Sequence, residues 1–124
     1  MKIAVAGTGY VGLVSGVCLA EMGHEVVCVD TDQQKIQSMK KGISPIYEDG
    51  LEEMMRRNYR EGRVDYTTDY AAAYRDARVI FIGVGTPEQS DGSADLSYVT
   101  QAARQIAESV ENDCLVVIKS TVPV

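Results

Sequence analysis

The chain has 124 residues, of which 45% are hydrophobic, so it is long enough for one globular domain with a core of its own. Its formal net charge of -6 at pH 7 disfavours nucleic acid and anionic membrane surfaces as partners, because both attract basic surfaces. The cysteines form no CxxC pair, there is a single histidine, and no apolar run approaches the length of a membrane-spanning helix. We therefore expect a cytoplasmic protein with reduced thiols, a small-molecule ligand, and no metal, nucleic acid or membrane partner.

The first thirty residues predict a strand, a glycine-rich turn, a helix and a second strand. Residues 2–6 are apolar and β-branched, and Gly7, Gly9 and Gly12 follow in the spacing GxGxxG. In such a turn the first glycine allows the reversal, the second lets backbone amides approach a pyrophosphate, and the third lets the helix lie close to the sheet. The free amides at the helix start favour an anion. A tight strand-to-helix connection without a ligand is the alternative.

The helix after the turn has apolar residues at helical spacing, which predicts its buried face. These residues are Val11, Val14, Cys18 and Met22. We expect all the thiols to be inert core groups, since Cys28 and Cys114 fall in or beside predicted strands.

An acidic residue strengthens the dinucleotide interpretation. Asp30 follows the second predicted strand, residues 25–29, and comes eighteen residues after Gly12, about the distance of the acid that holds the adenosine ribose. Capping the next helix is its alternative role. A carboxylate that accepts from both ribose hydroxyls would repel a 2′-phosphate, which favours NAD over NADP. Lys35 stands about one turn into the following helix and could reach a phosphate, although a solvated lysine is the more frequent state.

The remaining chain alternates helices and strands. We predict helices over residues 31–41, within 43–62, over 69–75 and over 95–110, strands over 64–68, 77–84 and 115–118, and a polar, mobile loop over 88–94. Residues 77–84 are nearly all apolar, as in a parallel strand covered on both faces. With right-handed crossovers these elements predict an α/β fold, a Rossmann-like doubly wound parallel sheet in three αβα layers with strand order 3-2-1-4-5.

Two predicted strands end in similar sequences. Gly85-Thr86-Pro87 follows one, and Ser120-Thr121-Val122-Pro123 follows the other. Ligands of open parallel sheets bind beyond the carboxyl ends of the strands, so Gly85, Thr86 and Thr121 are predicted to lie on the nicotinamide side. The hydroxyls of the two threonines could donate to a carboxamide, a ribose or a catalytic water, while ordinary turn chemistry is the alternative. No histidine, lysine or acid is an evident base here, as expected of a cofactor domain from a longer protein.

Four segments together carry a family resemblance. They are KIAVAGTGYVGLV with GHEVVCVD, SPIYEDGLEE, GVGTP followed by DGSADLSYV, and VIKSTVPV. Over all 124 residues the chain resembles the N-terminal, NAD-binding portion of nucleotide-sugar dehydrogenases of the UDP-glucose/GDP-mannose dehydrogenase family. One departure is Asp49, where the family usually has proline.

The resemblance implies an enzyme that oxidises C6 of a UDP-sugar such as UDP-glucose twice, with two NAD, through a cysteine thioester. It places that cysteine, a central helix and the sugar-binding domain beyond residues 1–124, so the chain alone would bind NAD without turnover. It also implies a homodimer formed through those other regions. A related dehydrogenase of GDP-mannose or UDP-N-acetylmannosamine, and a non-catalytic NAD-binding sensor module, remain alternatives.

The resemblance also assigns roles by position. It implies pyrophosphate contacts from the glycine turn, ribose contacts from the acid and the lysine after it, and nicotinamide-side contacts from two threonines, the second of which would also position the hydrolytic water. In that order the residues are Gly7, Gly9, Tyr10 and Val11, then Asp30 and Lys35, then Thr86 and Thr121.

Overall fold

A computed structural model describes residues 1–119 of the chain. The strands are β1 (Lys2–Ala6), β2 (Glu25–Val29), β3 (Val64–Thr67), β4 (Val79–Ile82) and β5 (Leu115–Ile118). The helices are α1 (Tyr10–Glu21), α2 (Gln33–Lys40), α3 (Leu51–Arg60), α4 (Tyr70–Arg75) and α5 (Ser97–Ser109). These elements alternate as the sequence predicts.

The five strands form one parallel sheet in the order β3-β2-β1-β4-β5, which confirms the predicted topology. The last residue of β1, Ala6, is in register with Val29 of β2 and Ile82 of β4. The carboxyl ends of these three strands therefore lie side by side. The strand order reverses between β1 and β4, which is where open parallel sheets bind their ligands.

Alternate residues of β1 supply two cores, one on each face of the sheet. Ile3 and Val5 belong to the core beneath α1 and α3, and Ala4 and Ala6 to the core beneath α4 and α5. All four are buried. This arrangement confirms the three-layer prediction.

The buried face of α1 differs from the predicted one. The buried residues of the helix are Gly12, Leu13, Gly16, Val17 and Ala20. Of the four predicted residues, Val14 is partly buried against the core, but Val11 is 44% exposed, Met22 is 74% exposed and Cys18 is exposed. The predicted face is therefore wrong at three positions, and Cys18 is not a core thiol. Because α1 is apolar on almost every side, periodicity did not select a face, and close approach did. A Cβ on Gly16 would lie 3.0 Å from Cys28 Sγ, so the glycine at this position lets α1 lie close to β2.

The environments of the other two thiols differ from each other. Cys28 in β2 is fully buried, and burial raises its pKa to about 12, which confirms an inert core thiol. Cys114, just before β5, is only half-buried.

A predicted extra helix is present as α3, and a buried amide fastens it to α1. The Asn58 amide nitrogen donates to Glu21 Oε2 at 2.7 Å and to the Met54 carbonyl at 2.8 Å, while Arg63 Nε donates to Asn58 Oδ1 at 2.8 Å. Arg57 pairs with Glu21 at 2.7 Å. Arg57 and Arg63 therefore belong to a network of hydrogen bonds and an ion pair that joins α3 to the end of α1.

The polar stretch 88–94 forms a hydrogen-bonded turn, and its predicted mobility stays a prediction. Gln89 N donates to the Ser93 carbonyl at 2.7 Å, and Ser93 N donates to Asp91 Oδ1 at 3.0 Å. A single antiparallel bridge joins Glu88 and Ala94. These bonds close a compact turn between β4 and α5.

Candidate cofactor-binding site

The glycine turn joins three elements at the carboxyl end of the sheet. Gly7 has φ +98°, and a Cβ there would lie 3.0 Å from the backbone of Gly83 at the end of β4. A Cβ on Gly12 would overlap the carbonyl oxygen of Gly7. A side chain at Gly7 would push the turn away from the end of β4, and one at Gly12 would push α1 away from the turn, in agreement with the close packing predicted for the third glycine.

The start of α1 offers backbone donors to an anion. Gly9 is the N-cap residue, and among residues 1–119 no side chain caps the helix and no acid lies in its first turn. A Cβ on Gly9 would meet no described atom within 4 Å, so this residue borders open space. Tyr10 and Val11 are the first helical residues and are exposed. Uncapped amides at a helix start favour a diphosphate through hydrogen bonding and the helix dipole.

Tyr10 also meets the loop before α3. The Glu48 carboxylate lies near the Tyr10 hydroxyl, and its acceptor oxygens and negative charge raise the pKa of Tyr10. The SPIYEDG segment, residues 44–50, therefore lies beside the glycine turn. Sequence reasoning did not connect these two motifs, because they are far apart in the chain.

Asp30 is held by a set of donors at the end of β2. Its Oδ2 accepts from the amide of Thr8 at 3.3 Å and from the Thr8 hydroxyl, and its Oδ1 accepts from the Asp32 amide at 3.0 Å. Lys35 Nζ lies 3.4 Å from Oδ2. Burial raises the pKa of Asp30, but these donors and the lysine charge outweigh it, so the pKa lies below its usual value. The carboxylate is ionised and fixed.

Asp32, rather than Asp30, caps the helix that follows β2. Asp32 is the N-cap of α2, and its Oδ1 accepts from the amides of Gln34 at 3.0 Å and Lys35 at 3.2 Å. Asp30 thus remains available to a ligand.

These groups border one cleft of about 380 Å³. The predicted residues that line it are Gly7, Gly9, Asp30, Lys35 and Gly85. Tyr10, Val11 and Gly12 lie at the adjoining helix start, and the half-buried Thr86 follows Gly85 without lining the cleft. Thr121 lies outside the described residues. The roles assigned to these residues stay predictions.

The opposite wall of the cleft was missed by sequence reasoning. It consists of Tyr74 from α4 and Tyr98, Gln101 and Gln105 from α5. The last three recur at helical spacing beside the apolar face of α5, which is the only signal that could have found them. Among residues 1–119, no group of three or more metal-ligating side chains occurs, and no helix is long and apolar enough to cross a membrane.

A family model described as the NAD-binding domain of the UDP-glucose/GDP-mannose dehydrogenase family matches residues 1–124. UDP-glucose 6-dehydrogenase YwqF of Bacillus subtilis is 56% identical over 124 residues, which are 100% of this chain and 28% of that protein. UDP-glucose 6-dehydrogenase of Rhizobium meliloti is 54% identical over 125 residues, 100% of this chain and 29% of that protein.

Solved structures agree with this match. GDP-mannose dehydrogenase from Pseudomonas aeruginosa has a TM-score of 0.94 and 41% identity, over 98% of this chain and 29% of that one. UDP-glucose dehydrogenase from Pyrobaculum islandicum has a TM-score of 0.91 and 41% identity over the same shares. The chain thus spans less than a third of the length of these relatives. It belongs to the UDP-glucose/GDP-mannose dehydrogenase family and corresponds to that family's NAD-binding domain.

Proposed function

We propose that the chain binds NAD in the cleft at the carboxyl ends of β1, β2 and β4, as the cofactor domain of a UDP-glucose 6-dehydrogenase. The observation that carries the proposal is the fixed Asp30 carboxylate, which shares one cleft with the glycine turn at the uncapped start of α1. These are the two groups that a dinucleotide needs, a donor set for its diphosphate and an acceptor for its adenosine ribose.

The residues present fit this ligand. Backbone amides of the first turn of α1 would hold the diphosphate, and the bare Gly9 leaves room for it. Asp30 would accept from the ribose hydroxyls. Lys35 already pairs with Asp30 at 3.4 Å, so it neutralises part of that charge while the carboxylate still disfavours a 2′-phosphate. This supports NAD over NADP.

We place Gly85 and Thr86 at the nicotinamide end of the cleft. Gly85 lines the cleft three residues after the end of β4, which supports a place for it and Thr86 beside the reactive half of the cofactor. We assign Thr121 the same side, with a further role in positioning a water. Bound there, NAD supplies the acceptor for a hydride from C6 of the sugar.

For the longer protein we propose two successive oxidations at C6. The first hydride transfer to NAD gives an aldehyde, to which a cysteine thiolate adds as a thiohemiacetal; the second hydride transfer to a second NAD gives a thioester, and water releases the acid and the thiol. That cysteine would lie beyond residues 1–124. Cys28 is buried with its pKa raised to about 12, and Cys114 precedes β5, at the amino-terminal edge of the sheet and away from the cleft. Cys18, in the second half of α1, is also absent from the cleft lining. The chain alone should therefore bind NAD without turnover.

A second candidate substrate is GDP-mannose. The Pseudomonas aeruginosa structure with a TM-score of 0.94 is a GDP-mannose dehydrogenase, although relatives of higher identity, at 56% and 54%, are UDP-glucose enzymes. UDP-N-acetyl-mannosamine dehydrogenase from Staphylococcus aureus is more distant, at 30% identity. We propose UDP-glucose on this ground.

Two measurements test the proposal. Calorimetric titration of the 124-residue chain should show NAD binding that is tighter than NADP binding. NADH formation by the full-length protein should be fastest with UDP-glucose when GDP-mannose and UDP-N-acetylmannosamine are offered in parallel. A chain that prefers NADP contradicts the cofactor assignment, and a full-length protein that prefers GDP-mannose contradicts the substrate assignment alone.

A further inference from the structure

We propose that Thr8, the residue between the first two glycines of the turn, is a positioning residue that orients the Asp30 carboxylate and thereby sets the preference for NAD over NADP. This inference rests on the proposed function, since it concerns the same cleft. In the spacing GxGxxG the residue between the first two glycines can be any amino acid, so the motif itself gives Thr8 no role.

Thr8 is buried. It is 1% exposed, and within residues 1–119, apart from the tyrosine hydroxyls, the other buried polar side chain is Asn58, which fastens α3 to α1. A buried hydroxyl needs a hydrogen-bond partner, because an unpaired polar group in the interior is destabilising. The partner of Thr8 is Asp30 Oδ2, which its hydroxyl and its amide both contact. Since an ionised carboxylate only accepts, the Thr8 hydroxyl is the donor.

Thr8 creates an asymmetry between the two carboxylate oxygens of Asp30. Oδ2 faces the Thr8 amide, the Thr8 hydroxyl and Lys35 Nζ, whereas within residues 1–119 the donor to Oδ1 is the Asp32 amide. Rotation of the carboxylate would break the bonds of Thr8 to Oδ2. The carboxylate is therefore held before any ligand arrives, with Oδ1 retaining acceptor capacity for a ribose hydroxyl, which lowers the cost of binding.

Thr8 also affects the ionisation of the Asp30 carboxylate. Around the carboxylate, among the described residues, the titratable groups are Lys35 at 3.4 Å, Asp32 at the N-cap of α2, and Tyr74 and Tyr98 in the opposite wall of the cleft. The Thr8 hydroxyl is the first of the groups that lower the pKa of Asp30 against the effect of burial. Without it the pKa rises, and NAD affinity should begin to fall at a higher pH during acidification.

Cofactor choice follows from the same geometry. A fixed, ionised carboxylate beside the ribose repels a 2′-phosphate. A carboxylate released from Thr8 can turn toward solvent, which removes that repulsion and frees Lys35 to contact the phosphate. Loss of the hydroxyl should thus weaken NAD binding and spare or strengthen NADP binding, a pattern that general loosening of the turn would not produce.

The experiment compares Thr8→Val, which keeps the side-chain shape, with Thr8→Ser, which keeps the hydroxyl, and with Thr100→Val as a matched control. Thr100 is exposed on α5 and does not line the cleft. Calorimetry with NAD and NADP should show about a tenfold fall in the NAD-to-NADP preference for Thr8→Val, while Thr8→Ser and Thr100→Val stay within about twofold of the wild type. Thr8→Ala takes the place of Thr8→Val if the latter does not fold.

A titration of the Asp30 carboxyl carbon by NMR, without nucleotide, supplies a second readout. The pKa of Asp30 should rise in Thr8→Val and return in Thr8→Ser. An unchanged cofactor preference and an unchanged Asp30 titration in Thr8→Val, with wild-type NAD binding intact, would overturn the role of Thr8 alone. A wild-type chain that binds no NAD would refute the proposed function itself.

Discussion

Asparagine at position 30 keeps the shape of the aspartate and removes its charge, so Asp30→Asn tests the carboxylate directly. In the wild type, both oxygens of Asp30 face donors, namely Thr8 and Lys35 on Oδ2 and the Asp32 amide on Oδ1. Asparagine has one oxygen and one NH₂ group. Whichever way its amide is flipped, its NH₂ group points at another donor in a site where the Asp30 side chain is only 15% exposed.

The loss for NAD follows from the hydrogen bonds that Asp30 would make to the ribose. A hydrogen bond to a charged acceptor contributes about 1.5–3 kcal/mol, which is a factor of about 10 to 150 in Kd. Because an amide oxygen still accepts one bond, we expect one such contribution to disappear rather than two.

The change for NADP has the opposite sign. A 2′-phosphate beside the ribose would stand close to the Asp30 carboxylate, and like charges 4 Å apart repel by about 4 kcal/mol at an effective dielectric constant of about 20. Lys35 at 3.4 Å offsets part of this repulsion in the wild type and becomes free to attract the phosphate in the variant. Together the two changes should lower the NAD-to-NADP preference by about 100-fold or more.

The assay is calorimetric titration of wild type and Asp30→Asn with both cofactors at pH 7. Asp32→Asn is the matched control, because it removes one negative charge two residues away and asparagine still caps a helix. An Asp30→Asn chain with the wild-type preference would refute the ribose assignment. An equal loss in Asp32→Asn would mean that general charge, rather than the Asp30 contact, decides the preference.

The same variant carries a prediction for stability against pH. Because the pKa of Asp30 is lower in the folded chain than its unfolded value of about 3.9, the ionised group stabilises the fold above that pH. This contribution is lost as the pH falls through the folded pKa. Thermal unfolding should therefore show a gap between wild type and Asp30→Asn at neutral pH that narrows below about pH 4.

Two further pairs of variants test the packing of the core and the two glycines at the start of α1. Leu13→Ala should lower the free energy of unfolding by about 2–5 kcal/mol in chemical denaturation, because Leu13 is fully buried, whereas Leu115→Ala should cost less than about 1 kcal/mol, because Leu115 is 63% exposed. Equal costs would contradict the position of β5 at the sheet edge. Gly12→Ala should lower Tm, since its Cβ would overlap the Gly7 carbonyl oxygen. Gly9→Ala should keep Tm and weaken NAD binding, since its Cβ would enter open space at the helix start, and undiminished NAD affinity in calorimetry would exclude a diphosphate there.

Elements whose cause is local could be predicted from the sequence. The apolar run 77–84 indicates a strand covered on both faces, and β4 lies there, at Val79–Ile82. Asp69 was predicted to open a helix, and it caps α4 by accepting from Ala72 N at 3.2 Å. Such signals need only neighbouring residues, because strand burial, helix caps and turns arise over a few positions.

The buried side of α1 could not be predicted, since it depends on distances that only the folded chain defines. Val11 and Met22 satisfy helical spacing as well as Leu13 and Val17 do, yet the helix lies on its glycine side. A Cβ on Gly16 would lie close to Cys28 Sγ, and this distance depends on how α1 packs against β2.

The same difference between local and long-range causes applies to the candidate site. The glycine turn and Asp30 were predictable because β1, α1 and β2 are consecutive and their spacing is constrained by the chain. The wall formed by Tyr98, Gln101 and Gln105 comes from α5, whose place over the cleft depends on the position of β4 in the sheet. The pairing of Thr8 with Asp30 spans 22 residues and arises only because β1 and β2 end side by side.

An acidic chain that holds an anionic cofactor must do so through local dipoles rather than net charge. The chain carries -6 overall, and in the described part of the molecule Lys35 is the only cationic side chain that lines the cleft, where Asp30 already pairs with it. Repulsion from distant carboxylates is screened beyond about 8–10 Å at physiological ionic strength, whereas helix amides act at hydrogen-bond distance. The proposed diphosphate site, built from backbone amides, would therefore remain effective on an acidic surface, and it would need the glycines of the turn rather than arginines.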